Sequence, residues 1–334
     1  MQPLTITGST IIPFTLPLVR PFNFAGHTIR ERSGYYLEIT TPDGLTAQGE
    51  IAPLPGISSE TLKKAKHDAR EIQPALVGRP IPLEKDELID SIRNDGRLCA
   101  CCPSVRFGVE SALFDLASRA RQMHLTHFLE APDGEIASAV LLQGTHGHII
   151  ARAKEMKACG HRVFKLKVGD RNIPLDVKKV QDLRGLIGKE GVIRLDANKI
   201  WSFSEAVLFA HLAGPEQIEF MEEPLSDTLK LDEFYKTTHM PVALDETLSV
   251  LRCGATAPSC MLTLTAHEGV KAYVIKPMVL GGVIIALDWI EEAGRLGKKA
   301  VISSAFESPV GLRVLKALAA LSGQTAGLGT EYYL

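Results

Sequence analysis

The chain lacks several features that would tie it to a large or charged partner. Charge of one sign is missing: 37 Lys and Arg stand against 39 Asp and Glu over 334 residues, a formal net charge of −2. That balance gives no electrostatic reason to expect nucleic acid or a membrane surface as partner. No apolar run approaches the roughly 18 residues needed to span a bilayer. The start, MQPLTITGS, has no basic region followed by a long apolar one, so no secretory leader is expected. Cysteine is scarce. Cys99, Cys101 and Cys102 cluster, while Cys159, Cys253 and Cys260 are scattered. No structural zinc site is expected from them. The clustered three read as small buried apolar residues rather than a redox centre, and a reducing, cytoplasmic compartment fits. A glycine-rich phosphate loop is also absent.

What is present is a repeated strand ending. Hydrophobic residues make up 45% of the chain, enough for a large core, and the length suits a barrel plus one further unit. Val163–Gly169 reads VFKLKVG, an apolar run with two lysines two apart, whose side chains share one face of a strand. Lysines are rarely buried unless something offsets their desolvation. Four similar runs follow: VIRLDAN (192–198), IEFMEEP (218–224), PVALDET (241–247) and AYVIKP (272–277). Each is β-prone and ends on a charge, so Lys167, Asp196, Glu222, Asp245 and Lys276 recur about one βα unit, on the order of thirty residues, apart. Helix-like stretches at 174–189, 204–213 and 282–294 lie between. A polar residue closing strand after strand at that period predicts a (β/α) barrel with its site at the C-terminal mouth.

The first ~55 residues predict β structure, with Tyr35–Thr40 and Thr46–Ile51 as a hairpin around Thr41-Pro-Asp-Gly44. Pro21–Ser33 and Ala52–Ser58 are expected to be loops, the first of them mobile. Helices are expected over 60–72, 82–94 and 104–121, the last with a small-residue stripe (Gly108, Ser111, Ala112) for close packing. This α+β segment forms an N-terminal unit over 1–130, and the barrel occupies 131–322. Ile136–Gln143 is expected as the first barrel strand, Val301–Ser304 as the seventh and 308–321 as the helix after it; the eighth strand has only a weak candidate.

Asp196, Glu222 and Asp245, on consecutive strand ends, can converge on one point. Three such carboxylates raise each other's pKa unless a cation sits among them. All-oxygen donors select a hard cation, so Mg²⁺ is expected, with Mn²⁺ as a substitute. The alternative is a set of surface acids near helix N-termini. In Glu222-Glu223 adjacent side chains point opposite ways, and Glu222 is assigned to the metal, with Glu223 and Glu246 around it. Asn198 adds a contact nearby. Lys167 is a candidate base, though at an ordinary pKa of ~10.4 only about one lysine in 2,500 is neutral at pH 7. Lys165 and the metal would lower that barrier, and Lys276 would face Lys167 across a planar carboxylate substrate. Paired lysines could instead hold a phosphate.

K-x-K at 165–167, D-A-N at 196–198, E-E-P at 222–224, D-E-T at 245–247 and I-K-P at 275–277 together resemble the muconate lactonizing enzyme subgroup of the enolase superfamily. Within it, GEIAPLPG (49–56), PSVRFGV (103–109), VISS (301–304), ESPVGL (307–312) and GLGT (327–330) resemble the o-succinylbenzoate synthase family. The resemblance implies a modified (β/α)7β TIM-type barrel under an α+β capping domain, with a tail over 323–334 returning to the cap. It implies a Mg²⁺-dependent dehydratase that makes o-succinylbenzoate for menaquinone biosynthesis. Lys167 would take the α-proton, Lys276 would hold the anionic ring by a cation–π contact, and the metal would stabilise an enediolate. The loops 21–33 and 52–58 would close over the site. Arg194, Ser303 and Ser304 are candidates for substrate contacts or for local hydrogen bonding.

Two rivals remain. N-acylamino acid racemases and dipeptide epimerases share both lysines, but ISSAFES at 302–308 lacks the aspartate-rich motif that epimerases carry there; a muconate cycloisomerase is a weaker third. From another class, a catalytically silent barrel could serve as a binding protein. Oligomeric state is left open.

Overall fold

The computed structural model describes residues 3–24, 27–169, 172–251 and 265–333. Cys253, Cys260 and residues 25–26 lie outside the described residues. The N-terminal unit is built on a three-stranded antiparallel sheet, β2 (Gly8–Phe24), β3 (His27–Thr40) and β4 (Thr46–Ile51), in that order. Beside it the short β1 (Leu4–Thr5) pairs with β5 (Pro80–Ile81). The predicted 41–44 turn joins β3 to β4, with Thr40 opposite Thr46 and Gly44 at a φ of 83°.

Pro21–Ser33 is not a loop. Its described residues belong to β2 and β3, with Phe22 opposite Ile29. A shift of register between Pro17 and Phe22 breaks the alternation of polar and apolar residues, which removed the period-two signal. Prolines at 13, 17 and 21 are tolerated because β2 lies at the edge of the sheet.

Helices α1 (Leu62–Leu76), α2 (Lys85–Arg93), α3 (Gly96–Cys99), α4 (Pro103–Ala120) and α5 (Leu125–Phe128) complete this unit. The α1 cap is Thr61, whose side chain accepts from Lys64 N. The small-residue stripe does bring α4 against β4: a Cβ on Gly49 would run into the Gly108 carbonyl. The clustered cysteines are not buried as expected. Cys99 is exposed and Cys101 and Cys102 are half-buried, because α3 lies at the surface.

The second unit is a parallel sheet of seven strands in sequential order. They are β6 (Val140–Leu142), β7 (Val163–Lys167), β8 (Val192–Asp196), β9 (Ile218–Glu222), β10 (Val242–Leu244), β11 (Val270–Ile275) and β12 (Lys299–Ile302). Between them run α6 (His146–Ala158), α7 (Ile173–Ile187), α8 (Phe203–Ala213), α9 (Leu231–Thr238), α10 (Glu246–Leu251), α11 (Pro277–Leu280) and α12 (Val283–Arg295), and α13 (Pro309–Ser322) follows β12. The first strand is shorter than the expected 136–143. The sheet curls until its two edges share one partner. Ala326 bridges Ser138 before β6, and Gly327 bridges Ser303 after β12. Those bridges rest on four backbone bonds, including Ala139 N to Ala326 O at 2.8 Å and Gly327 N to Ile302 O at 2.8 Å.

Inside the curl a small apolar cluster of Phe220, Ala243, Ala272, Val274 and Val301 is sealed from solvent. Because side chains alternate along a strand, the residue two beyond each inward one also points inward. Glu222 follows Phe220, Asp245 follows Ala243, Lys276 follows Val274 and Ser303 follows Val301. The apolar layer thus forms the floor, and the charged residues stand above it. No helix among the described residues is long and apolar enough to cross a membrane.

Candidate active site

Above that floor lies a narrow cavity of about 80 Å³. Its walls include Lys165, Lys167, Arg194, Asp196, Asn198, Glu222, Lys276, Ser303 and Ser304. Of the sequence-assigned residues only Asp245 is not a wall; it is buried and reaches the cavity through its ion pair with Lys276. The room is enough for a few waters, so a ring-sized molecule needs the wall segments to move. Those segments are Phe22 on the β2–β3 hairpin, Leu54 and Ile57 after β4, and Phe306 after β12. A larger cleft of about 980 Å³ lies elsewhere, between α4 and α13, and holds none of the strand-end charges.

The acids and lysines interleave. Lys165 Nζ bridges Glu222 Oε2 at 2.5 Å and Asp196 Oδ2 at 2.9 Å. Lys167 Nζ donates to Asp196 Oδ2 at 2.6 Å and Asn198 Oδ1 at 2.7 Å. Lys276 donates to Asp245 Oδ2. With Lys167 at the end of β7 and Lys276 just after β11, three strands separate the two, so they approach the cavity from opposite parts of the wall. Burial alone would lower the Lys165 pKa, but Asp196, Glu222 and Asp245 outweigh it and raise it. Burial likewise opposes Asp245 and Glu246 at Lys276, and the acids win. Asp196 is held well below the carboxylate range, since Lys165 and Lys167 overcome its burial. At Glu222 burial prevails over Lys165 and is reinforced by Asp196 and Asp245, pushing its carboxyl up to about 8.

Glu222 faces the cavity and Glu223 faces away, as strand parity requires. Glu223, at a φ of 42°, accepts from Asp245 N at 2.8 Å, Thr247 N at 2.7 Å and Thr247 Oγ1 at 2.8 Å. It therefore fixes the turn that presents Asp245. Asn198 sits at a φ of 46°, a left-handed conformation that Asn adopts more readily than most residues. Its Nδ2 donates to Glu246 Oε1 at 2.8 Å, so one amide ties Glu246 to Lys167.

Among the described residues no three His, Cys, Asp or Glu side chains form a ready metal cage; the carboxylate oxygens are turned to lysines instead. The donor chemistry nevertheless fits a hard divalent cation. Asp196, Glu222 and Asp245 are all-oxygen donors, nearly excluded from water, and the charges of Asp196 and Asp245 add to burial in raising the Glu222 carboxyl.

Arg194 divides its guanidinium between Glu219 Oε2 at 2.6 Å and Thr325 O at 2.8 Å, and stacks 5.0 Å over the Phe220 ring. Of the two roles left open for it, local support is the one these contacts fill. Ser304 Oγ donates to Glu307 Oε2 at 2.6 Å and accepts from Thr330 Oγ1 at 2.6 Å. Ser303 Oγ lies 3.4 Å from Gly327 O. The strand-end pattern could not reveal Phe22, Leu54, Ile57, Phe306 or Thr330 as walls, because they come from segments outside the sheet.

The family model described as enolase C-terminal domain-like matches residues 148–333, and that for the MenC N-terminal domain matches residues 7–116. The o-succinylbenzoate synthase of Aliivibrio fischeri (strain MJ11) is 32% identical over 314 residues, 93% of this chain and 85% of that protein. That of Vibrio cholerae (strain M66-2) is 30% identical, over 96% and 89% of the two chains. In fold, the chain is similar to the dipeptide epimerase of Enterococcus faecalis V583 complexed with Mg and L-Leu-L-Tyr. The TM-score there is 0.86 at 24% identity, over 99% of this chain and 92% of that one.

Proposed function

The chain belongs to the o-succinylbenzoate synthase family, with an enolase-like C-terminal domain, and on that premise we propose which residues carry the reaction. The reaction is loss of water from 2-succinyl-6-hydroxy-2,4-cyclohexadiene-1-carboxylate to give o-succinylbenzoate, a step of menaquinone biosynthesis. The curled sheet with Ala326-Gly327 across its seam is read as a modified (β/α)7β barrel over 131–322. Residues 1–130 are its cap, and 323–334 run back to it, with Tyr333 against Phe22.

The observation that carries the assignment is the pairing of Lys167 and Lys276 across one cavity beside three buried carboxylates. Asp196, Glu222 and Asp245 would hold the divalent metal, Mg²⁺ with Mn²⁺ as substitute. When bound, that metal supplies positive charge for the substrate carboxylate as its α-carbon loses a proton. Lys167 Nζ, as the neutral amine, takes that proton: the C–H bond breaks and an N–H bond forms. The freed electron pair expels the ring hydroxyl, which leaves as water with the proton now on Lys167, and the ring becomes aromatic. Lys276 stays an ammonium and faces the electron-rich ring, in keeping with the acids that raise its pKa. Lys165, between Asp196 and Glu222, disfavours a second cation on Lys167. Asn198 orients Lys167. Arg194, Ser303 and Ser304 shape the wall, and the two serines would be the residues to contact the substrate's side chain. The free cysteines at 99, 101, 102 and 159 fit a cytoplasmic setting.

An ultraviolet assay of o-succinylbenzoate formation, run with Mg²⁺ and then with EDTA, tests this. Conversion that chelation abolishes and added metal restores supports the assignment. Absence of conversion, with α-proton exchange on N-acylamino acids or dipeptides in D₂O, would make the chain a racemase on the same scaffold, a reading to which the epimerase-like fold is open.

A further inference from the structure

We propose that Arg32 is a positioning residue for this reaction, one that sets the lip of the pocket from behind its wall. The proposal rests on the cavity being the substrate site. Arg32 lies on β3 with 1% of its surface exposed, an expensive place for a guanidinium. It is not spent on a carboxylate. Its Nε donates to Phe306 O at 3.1 Å, one terminal nitrogen to Pro53 O at 3.0 Å and the other to Ala52 O. The two neighbouring acids are engaged elsewhere. Glu50 accepts from Ser308 N, Ser308 Oγ and Gly311 N at the start of α13, and Glu307 accepts from Ser304 Oγ and Ala305 N. They offset part of the burial cost of Arg32 and leave its planar fork to three main-chain carbonyls.

Those carbonyls belong to two segments that meet over the cavity. Pro53 precedes Leu54, a wall residue, and Phe306 is itself a wall. Phe306 has a φ of 62°, a conformation that an aromatic residue keeps only when its surroundings over-determine it. Both of its main-chain polar groups are pinned, the nitrogen to Ser304 Oγ at 3.0 Å and the carbonyl to Arg32. Its ring packs edge-on against Phe22 at 4.5 Å and Tyr333 at 5.7 Å, joining hairpin, barrel and tail at one aromatic corner. Arg32 is not itself a wall and pairs with none of the catalytic charges, so any effect on turnover must pass through the segments it holds.

The test uses the full chain with Arg32→Lys, Arg32→Met and Phe306→Leu, each checked for folding by thermal melting. Kinetics and calorimetric o-succinylbenzoate affinity are then measured with Mg²⁺ present. Arg32→Met is expected to raise KM and weaken product binding by about tenfold or more while kcat falls less than about threefold, since it loosens the preorganised binding wall and leaves the reacting groups in place. Arg32→Lys, which keeps the charge but not the fork, falls in between. Combining Arg32→Lys with Phe306→Leu is expected to cost less than the product of the single effects, as for residues acting through one contact. If Arg32→Met does not fold, the Lys variant and the pair still decide. Folded variants with KM and product affinity within twofold of wild type would overturn the proposal, whatever their melting temperature. A wild type that makes no o-succinylbenzoate is a different result: it overturns the functional assignment, and this proposal with it.

Discussion

Lys167 Nζ and Asn198 Oδ1 lie 2.7 Å apart, and the same Asn198 amide donates to Glu246 at 2.8 Å. One side chain in a left-handed conformation thus orients Lys167, the proposed base. Asn198→Ala is expected to lower kcat by about ten- to a hundredfold with a smaller change in KM, because it frees the rotamer of Lys167 while trimming only one of many wall side chains. Steady-state kinetics at saturating Mg²⁺ check this, and an unchanged kcat would leave Lys167 positioned by Asp196 alone.

Asp245→Asn removes one of the three carboxylates and leaves the Lys276 ammonium without its ionic partner. The Mg²⁺ concentration for half-maximal activity is expected to rise by about tenfold or more. A metal titration that overlays the wild type would exclude Asp245 from the ligand set.

Glu223→Ala strips the acceptor from two buried backbone N–H groups and the Thr247 hydroxyl. Loss of stability of about 3 kcal/mol or more is expected, at about 1–3 kcal/mol for each of the three buried groups left unpaired. Urea unfolding measures it, and Glu223→Gln, which keeps an acceptor oxygen, should cost less.

Glu110, fully buried on α4, accepts from Ile284 N at 2.9 Å, and burial outweighs Arg106 to push its carboxyl up to about 7. Its folded pKa therefore lies above its unfolded value, so the native state binds the extra proton between them. Stability contributed by this group should fall as pH rises from about 4.5 to about 7, by no more than about 3 kcal/mol. Glu110→Gln should flatten that fall, which denaturant melts at several pH values can follow. A variant with the wild-type slope would show Glu110 ionised throughout.

The lower layers of this site were legible because a strand repeats every two residues. Lys165 and Lys167, Asp196, Glu222, Asp245 and Lys276 each end an apolar run, and that parity also separated Glu222 from Glu223. The lid was less legible. The register shift between Pro17 and Phe22 hid a strand where a loop was expected. Arg32, Glu50 and Glu307 are far apart in sequence, and nothing local shows that they meet. The closing segment at Ala326-Gly327 forms only isolated bridges, too short to leave a strand pattern.

Lys167→Ala tests the central claim most directly, with turnover and o-succinylbenzoate affinity measured on the same folded preparation. The account predicts a fall in kcat of at least about a thousandfold, at the strong end for loss of a proton-transfer group, with product affinity within about threefold of wild type. Turnover within tenfold of wild type would contradict it, as would joint loss of turnover and product binding, which would make Lys167 a structural partner of Asp196 rather than the base.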